Sequence, residues 1–100
     1  MSAYVLIVVD KELDPEKMHE YRVGARDSLI KHKGKLLTLP NSKKLAVEGE
    51  DAETIIIVEF PTMEAAQNWY YSEDYQVPAK IRQAATIGRG FIIEGANVSL

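Results

Sequence analysis

The sequence has no cysteine among its 100 residues, which excludes disulfide bonds, thiol nucleophiles and thiolate metal ligands. Histidine occurs only twice, so a transition-metal site has little support, and we expect neither a bound metal nor a cofactor. Long hydrophobic runs are missing as well. The longest, residues 4–9, is far too short to span a bilayer, and no basic segment precedes it as in a signal peptide. We therefore expect a cytoplasmic protein with no membrane partner.

The chain also lacks an excess of basic residues. It has 12 Lys and Arg against 15 Asp and Glu, a formal net charge of -3 and a pI of about 5.3. Because phosphate binding usually leaves a basic footprint, we expect no nucleic-acid partner. With 46% hydrophobic and 27% charged residues, the composition is that of an ordinary globular protein. Residues 1–100 are predicted to form a single domain.

The first half of the chain has the pattern strand, helix, strand. Residues 3–9 are rich in β-branched side chains and predict a strand buried on both faces. Asp14 can cap the helix that Pro15 opens, and Gly34 stands where a C-terminal cap belongs. A second strand is predicted at 35–39, and an irregular edge strand at 43–48.

The second half repeats strand, helix, strand. The remaining predicted elements are a strand at 54–60, a helix at 63–70, a helical stretch from the cap at Ser72 to about residue 85, and a strand at 88–94. Pro78 falls inside the second helical stretch, where we expect a kink or a new helix start. The tail, residues 96–100, is expected to be loose.

The order βαββαβ predicts an α+β fold with an antiparallel sheet and its helices on one face. A sheet with one solvated face should alternate apolar and polar residues along each strand. In the first and third strands, however, the residues that point to either face are apolar. The helices can cover only one face, so the other would leave a large apolar patch, which usually marks an interaction surface. We expect a homodimer joined sheet against sheet.

One stretch resembles the signature of a known family. It contains Glu59-Phe60-Pro61, then Trp69-Tyr70 and Ser72-Glu73-Asp74-Tyr75 at fixed spacing, and Phe91-Ile92-Ile93-Glu94-Gly95 closes the pattern. The chain is similar over roughly residues 3–95 to the domain of unknown function 1330 family, in the dimeric α/β-barrel superfamily. It departs from the family at two places. Lys33 stands where a second glycine is usual, and the proline that usually follows the serine directly is absent after Ser72, while a proline occurs at position 78.

The resemblance implies a ferredoxin-like monomer that pairs into a dimeric α/β barrel, with a small pocket between the sheet and its helices. Relatives in the superfamily include cofactor-independent oxygenases and isomerases, but fold does not determine chemistry. One hypothesis is a cofactor-independent enzyme acting on a small carboxylate or aromatic substrate. The alternative is a non-catalytic module that binds or senses a metabolite. In a third interpretation, the protein's own side chains fill the pocket.

Two residues are candidates for moving a proton. Glu59 shares strand parity with Ile55 and Ile57, so its carboxylate points to an otherwise apolar face and is a candidate general acid or base. The alternative is a structural ion pair or an exposed strand end. His32 ends the core-facing stripe of the first helix and can transfer protons near pH 7. The alternative is a helix-end histidine bonded to a backbone carbonyl.

Four further residues are candidates for ligand binding. Arg82 follows Tyr75 by seven residues, so both lie on one helix face, where a guanidinium can hold a ligand carboxylate. The alternative is a salt bridge from Arg82 to Glu59 or Glu94. Trp69, Tyr75 and Tyr21 are candidates for the walls of a pocket for a small ring-shaped ligand, although such aromatic residues are also common in a plain core.

Overall fold

Four antiparallel strands form one sheet, in which the second strand of the chain lies at one edge, followed by the third, the first and the fourth. The computed structural model describes residues 1–96 and 98; of the tail expected to be loose, residues 97, 99 and 100 lie outside the described residues. The elements are β1 (Ala3–Glu12), α1 (Pro15–His32), β2 (Lys35–Leu36), β3 (Thr54–Phe60), α2 (Met63–Tyr70), α3 (Glu73–Ala85) and β4 (Thr86–Glu94). This order and topology confirm the predicted α+β, ferredoxin-like βαββαβ fold.

The helices begin where the capping residues predict. Asp14 Oδ1 accepts a hydrogen bond from the Lys17 N–H at 3.2 Å, and the Thr62 hydroxyl accepts one from the Ala65 N–H at 3.0 Å. Ser72 does the same for the first turn of α3. Each side chain satisfies a backbone donor that the first helical turn leaves without an intrahelical partner.

α1 ends differently from the prediction, because Lys33 rather than Gly34 takes the left-handed cap conformation. Lys33 has φ 60° and ψ 32°. Position 34 requires glycine because no room is left there for a side chain: a Cβ would lie 2.7 Å from Leu29 Cδ2 and 2.8 Å from Phe60 Cζ. The position where the family usually has a second glycine is therefore the position whose backbone favours glycine.

Replacing Lys33 by glycine is expected to stabilise the protein. A left-handed conformation costs an L-residue roughly 1 kcal/mol, and the greater freedom of an unfolded glycine offsets part of the gain. We expect a net increase of about 0.5 kcal/mol in the free energy of unfolding, measured by urea denaturation. The matched control is Lys80→Gly, at an exposed position in the middle of α3, which should destabilise the protein by about 1 kcal/mol. A Lys33→Gly variant less stable than the parent would contradict this account.

β2 is shorter than predicted, and the edge strand expected at 43–48 does not form. After Leu36, one further backbone hydrogen bond joins the Leu37 N–H to the Ile57 carbonyl. The Thr38 hydroxyl then takes the place of the ladder: it donates to the Ile55 carbonyl and accepts from the Ile57 N–H, both at 3.0 Å. Pro40 has no N–H to resume the pairing, so the chain leaves the sheet there.

β1 and β4 are longer than predicted because they pair with each other beyond residue 9. A register shift between Val9 and Lys11 lets the pairing continue to Glu12, opposite Thr86. α3 runs as one helix through Pro78, so no new helix starts there. Gly24 of α1 faces this proline, and a Cβ on it would lie 2.9 Å from Pro78 Cβ. The two helices therefore pack closely at this point.

The helices cover only one face of the sheet, and the other face is apolar too. The covered face contributes six buried residues to the core: Ala3, Val5, Ile7, Val9, Val58 and Phe60. The opposite face, called the open face below, carries Tyr4, Leu6, Val8, Ile55, Ile57, Phe91 and Ile93. Phe91 and Ile93 are 53% and 58% exposed. The second apolar face expected from the strand pattern is therefore present.

Candidate functional site

A cavity of about 330 Å³ lies between α1 and the β2–β3 half of the sheet. Its inner walls are buried residues, among them Ile7, Val58, Tyr21 and Trp69. The exposed lining residues Arg26, Ile30 and Pro40 define its mouth. The cavity is half open to solvent and its lining is almost wholly apolar, which is the usual character of a ligand pocket, so it is the main candidate site.

The spacing of α1 explains how the cavity forms. Tyr21, Ala25 and Leu29 follow one another at four-residue intervals, so they line one face of the helix toward the sheet. Ala25 has a short side chain, which leaves space open between α1 and the sheet. The early end of β2 places Thr38 and Pro40 at the rim.

The indole of Trp69 is held in position at the inner end. Its ring packs against Tyr75, with centroids 3.9 Å apart, and against Phe60 at 5.2 Å. The indole Nε1–H donates to Ser28 Oγ at 2.9 Å, and Ser28 donates to the Ala25 carbonyl at 2.7 Å. Ser28 is not among the residues predicted from the sequence. The signal for it is its position seven residues after Tyr21, which puts this polar side chain on the core-facing side of α1.

Tyr21 and Tyr75 join their hydroxyls inside the core. The two oxygens are 2.9 Å apart, and either can be the donor. Burial raises the pKa of Tyr21 well above its ordinary value, and burial also raises the pKa of Tyr75. Both phenols are therefore neutral near pH 7, and in their shared hydrogen bond one hydroxyl donates and the other accepts.

Arg82 is buried against this pair of tyrosines. It is 5% exposed, and its Cζ lies 5.6 Å from the centroid of the Tyr21 ring, a cation–π arrangement. Its Nε has no hydrogen-bond partner, and none of the ion pairs within residues 1–96 and 98 includes Arg82. The salt bridge to Glu59 or Glu94 that sequence analysis left open is thus not formed by the described residues.

The structure brings four of the six candidate residues together. Tyr21 and Trp69 line the cavity, whereas Tyr75 and Arg82 pack behind them and are not among its lining residues. The role in ligand binding predicted for these four residues stays a prediction.

Glu59 lies elsewhere, on the open face of the sheet. It pairs with Tyr4 on β1 and with Lys35 on β2, and it shares its side of β3 with Ile57. Arg82 packs on the covered side, so the sheet separates the two residues. The role of Glu59 as a general acid or base stays a prediction, and it cannot act together with Arg82 within one subunit.

His32 belongs to an ion-pair cluster between the end of α1 and the start of α3. Its Nε2 lies 3.1 Å from Asp74 Oδ2, and Lys31 Nζ lies 3.1 Å from the same oxygen. The hydrogen bonds from His32 and Lys31 hold the pKa of the Asp74 carboxyl below its usual value. The partner of His32 is thus a carboxylate rather than a backbone carbonyl. The cavity lining does not include His32, and its role in proton transfer stays a prediction.

Two further properties concern metals and membranes. Within residues 1–96 and 98, no three His, Cys, Asp or Glu side chains are grouped so that they could hold a metal ion. None of the helices in the same part of the chain has the length and apolar character needed to cross a membrane.

The chain is similar to several solved structures. A protein of unknown function from Rhodopseudomonas palustris is 19% identical, with a TM-score of 0.72 over 97% of this chain and 84% of that one. An antibiotic biosynthesis monooxygenase is 14% identical, with a TM-score of 0.57 over 99% of this chain and 100% of that one. A dimeric protein of unknown function with a ferredoxin-like fold, from Bacteroides fragilis, is 9% identical, with a TM-score of 0.55 over 94% and 95% of the two chains. At these identities the likeness shows the fold alone.

No curated protein matches the sequence. The model of one family, described as domain of unknown function (DUF1330), matches residues 2–96. This match covers almost the whole chain and confirms the resemblance carried by the Glu-Phe-Pro and Trp-Tyr segments. The chain therefore belongs to the DUF1330 family.

Proposed function

We propose that the protein binds one small, mostly apolar molecule per subunit in the cavity between α1 and the sheet. The observation that carries this proposal is the cavity itself, about 330 Å³ in volume and walled by buried apolar and aromatic side chains. Ligand pockets typically have this size and this apolar lining, with a few polar groups that orient the ligand. The Trp69 indole is already fixed by Ser28, so it forms a rigid wall.

The cavity supports binding better than catalysis. The Thr38 hydroxyl and the Trp69 indole N–H that line it already donate to Ile55 and Ser28, and the Tyr21 hydroxyl bonds Tyr75. The polar groups that face a ligand are therefore mainly the two guanidinium groups, which only donate. Of residues 1–96 and 98, none that lines the cavity carries a carboxylate or an imidazole. A general base must lie within hydrogen-bond reach of the proton that it removes, and this lining offers none.

In the catalytic alternative, the candidate catalytic residues lie outside the cavity. In that alternative the protein is a cofactor-independent enzyme for a small carboxylate or aromatic substrate, with Arg82 holding the anion and His32 moving the proton, since Glu59 lies across the sheet from Arg82. The likeness to a monooxygenase concerns the fold and therefore does not favour oxygenation over binding.

We also propose that the protein is a homodimer joined through the open face. That face carries Leu6 at its centre, with Ile57 and Phe91 directly opposite on the neighbouring strands. Two copies related by a two-fold axis would cover each other's apolar residues, as the dimeric Bacteroides fragilis protein of similar fold suggests. The cavity lies on the other side of the sheet, so each subunit would keep its own site.

Filling the cavity is expected to abolish binding. Trp69 is the only tryptophan and lines the cavity, so its fluorescence reports occupancy directly when octan-1-ol is titrated. Ala25→Phe places an aromatic ring in the cavity and should weaken octanol binding at least tenfold, because the ligand loses the apolar surface that it would bury. Circular dichroism checks that the variant folds.

The matched control is Val23→Phe, on the same helix at a position that is 53% exposed and is not a lining residue. This variant should bind octanol like the parent. If Ala25→Phe binds octanol as tightly as the parent does, the cavity is not the binding site.

A further inference from the structure

We infer that the bound molecule is an amphipathic anion, a carboxylate with an aliphatic or aromatic body, and that Arg26, assisted by Arg22, holds its head group at the mouth of the cavity. This inference rests on the proposed function and adds the chemical class of the ligand. It also assigns the anion to a pair of residues that sequence analysis did not single out.

The two arginines occupy adjacent turns of α1. They are four residues apart, so both side chains project from the same side of the helix, and both line the cavity. Arg26 is exposed, as expected for a residue at the mouth. The inner walls, by contrast, are buried and largely apolar. A molecule seated in the cavity would therefore have its body among apolar side chains and one end beside two guanidinium groups.

Neither guanidinium is fully neutralised by the protein. No ion pair within the described residues includes Arg26. Arg22 has one carboxylate partner, Glu12, but the Nη2 to Oε1 distance of 3.4 Å is long for a charge-assisted hydrogen bond. Since no carboxylate from the part of the chain that the structure describes lines the cavity, its mouth is locally positive although the whole chain has a net charge of -3.

An anion at this place would relieve the repulsion between the two guanidinium groups. Like charges four residues apart on a helix repel each other, and a carboxylate between them replaces that repulsion by two attractions. A guanidinium can bind a carboxylate through two parallel N–H···O bonds, which also orients the head group. A cationic or uncharged head would gain neither contribution.

Three probes with the same chain and different head groups test this inference: octanoate, octan-1-ol and octylamine, titrated against Trp69 fluorescence. The parent should bind octanoate at least tenfold more tightly than octanol, and octylamine more weakly than either. Arg26→Met keeps a side chain of similar reach but removes the charge. It should weaken octanoate binding roughly tenfold to a hundredfold and so remove most of the preference for octanoate over octanol.

The control is Arg89→Met, which removes an exposed arginine of β4 that pairs with Asp10 outside the cavity. It should leave the binding of all three probes unchanged. Arg26→Lys should retain part of the preference for octanoate, because it keeps the charge but loses the two-pronged geometry. High salt should reduce the same preference in the parent, since the head group lies at an exposed mouth.

The outcomes separate the two proposals. If octanol binds but octanoate binds no more tightly, or if Arg26→Met leaves that preference intact, the anionic ligand class is wrong while the binding cavity stands. If the folded parent binds none of the probes, the proposed function fails and this inference fails with it.

Discussion

Replacing Leu6 by lysine is expected to separate the proposed homodimer into monomers. Leu6 lies on the inner strand β1, in the middle of the open face. A two-fold interface buries this residue once from each copy, and burying a leucine contributes roughly 1.5 to 3 kcal/mol. Losing both contributions, and forcing two charges into an apolar interface, should weaken dimerisation roughly a hundred- to ten-thousand-fold.

Sedimentation at micromolar concentration measures the result directly. The parent should have about twice the 11.2 kDa mass of one chain, and the Leu6→Lys variant should have the mass of one chain. The matched control is Val23→Lys, which makes the same kind of substitution on the exposed surface of α1 and should remain dimeric. If the Leu6→Lys variant stays a dimer, the open face is not the interface.

The second large effect is expected from Trp69→Ala. Trp69 is 1% exposed, stacks on Tyr75 and donates a hydrogen bond to Ser28. Truncating a buried tryptophan to alanine costs about 3 to 5 kcal/mol, a large part of the total stability of a small domain. The melting temperature should fall by roughly 12 °C or more. Far-UV circular dichroism is the suitable measurement, because the substitution removes the only fluorescent indole.

Two further variants separate packing from hydrogen bonding. Trp69→Phe keeps an aromatic ring but removes the indole N–H, so it should cost about 1 to 2 kcal/mol. Tyr71→Ala, at a tyrosine that is 72% exposed, should change the free energy of unfolding by less than about 0.5 kcal/mol. If Trp69→Ala costs less than about 1 kcal/mol, Trp69 does not hold the inner wall of the cavity in place.

Local chemistry made most element boundaries predictable from the sequence. Asp14, Thr62 and Ser72 each have a short oxygen-bearing side chain directly before a helix, and each caps that helix in the structure. The run at 54–60 is β3 with no change in its bounds. Because side chains alternate along a strand, the same run also revealed that both faces of the sheet are apolar.

Where the sequence was misleading, a distant contact decided the outcome. Gly34 has the residue type of a helix cap, but the nearness of Phe60 and Leu29 explains its presence, and Lys33 takes the strained conformation. The edge strand predicted at 43–48 does not form, since the Thr38 hydroxyl replaces the ladder hydrogen bonds before it begins.

In the candidate site, too, some features were predictable from the sequence and others depend on tertiary packing. Helical spacing was enough to predict that Tyr21, Tyr75 and Arg82 face the core, because it puts all three on inward faces of their helices. Strand parity likewise placed Glu59 with Ile57, but parity does not tell which side of a sheet the helices cover. Only the packing of the helices on the opposite side separated Glu59 from Arg82. The cavity is also a tertiary feature, since its volume depends on the distance at which α1 packs on the sheet.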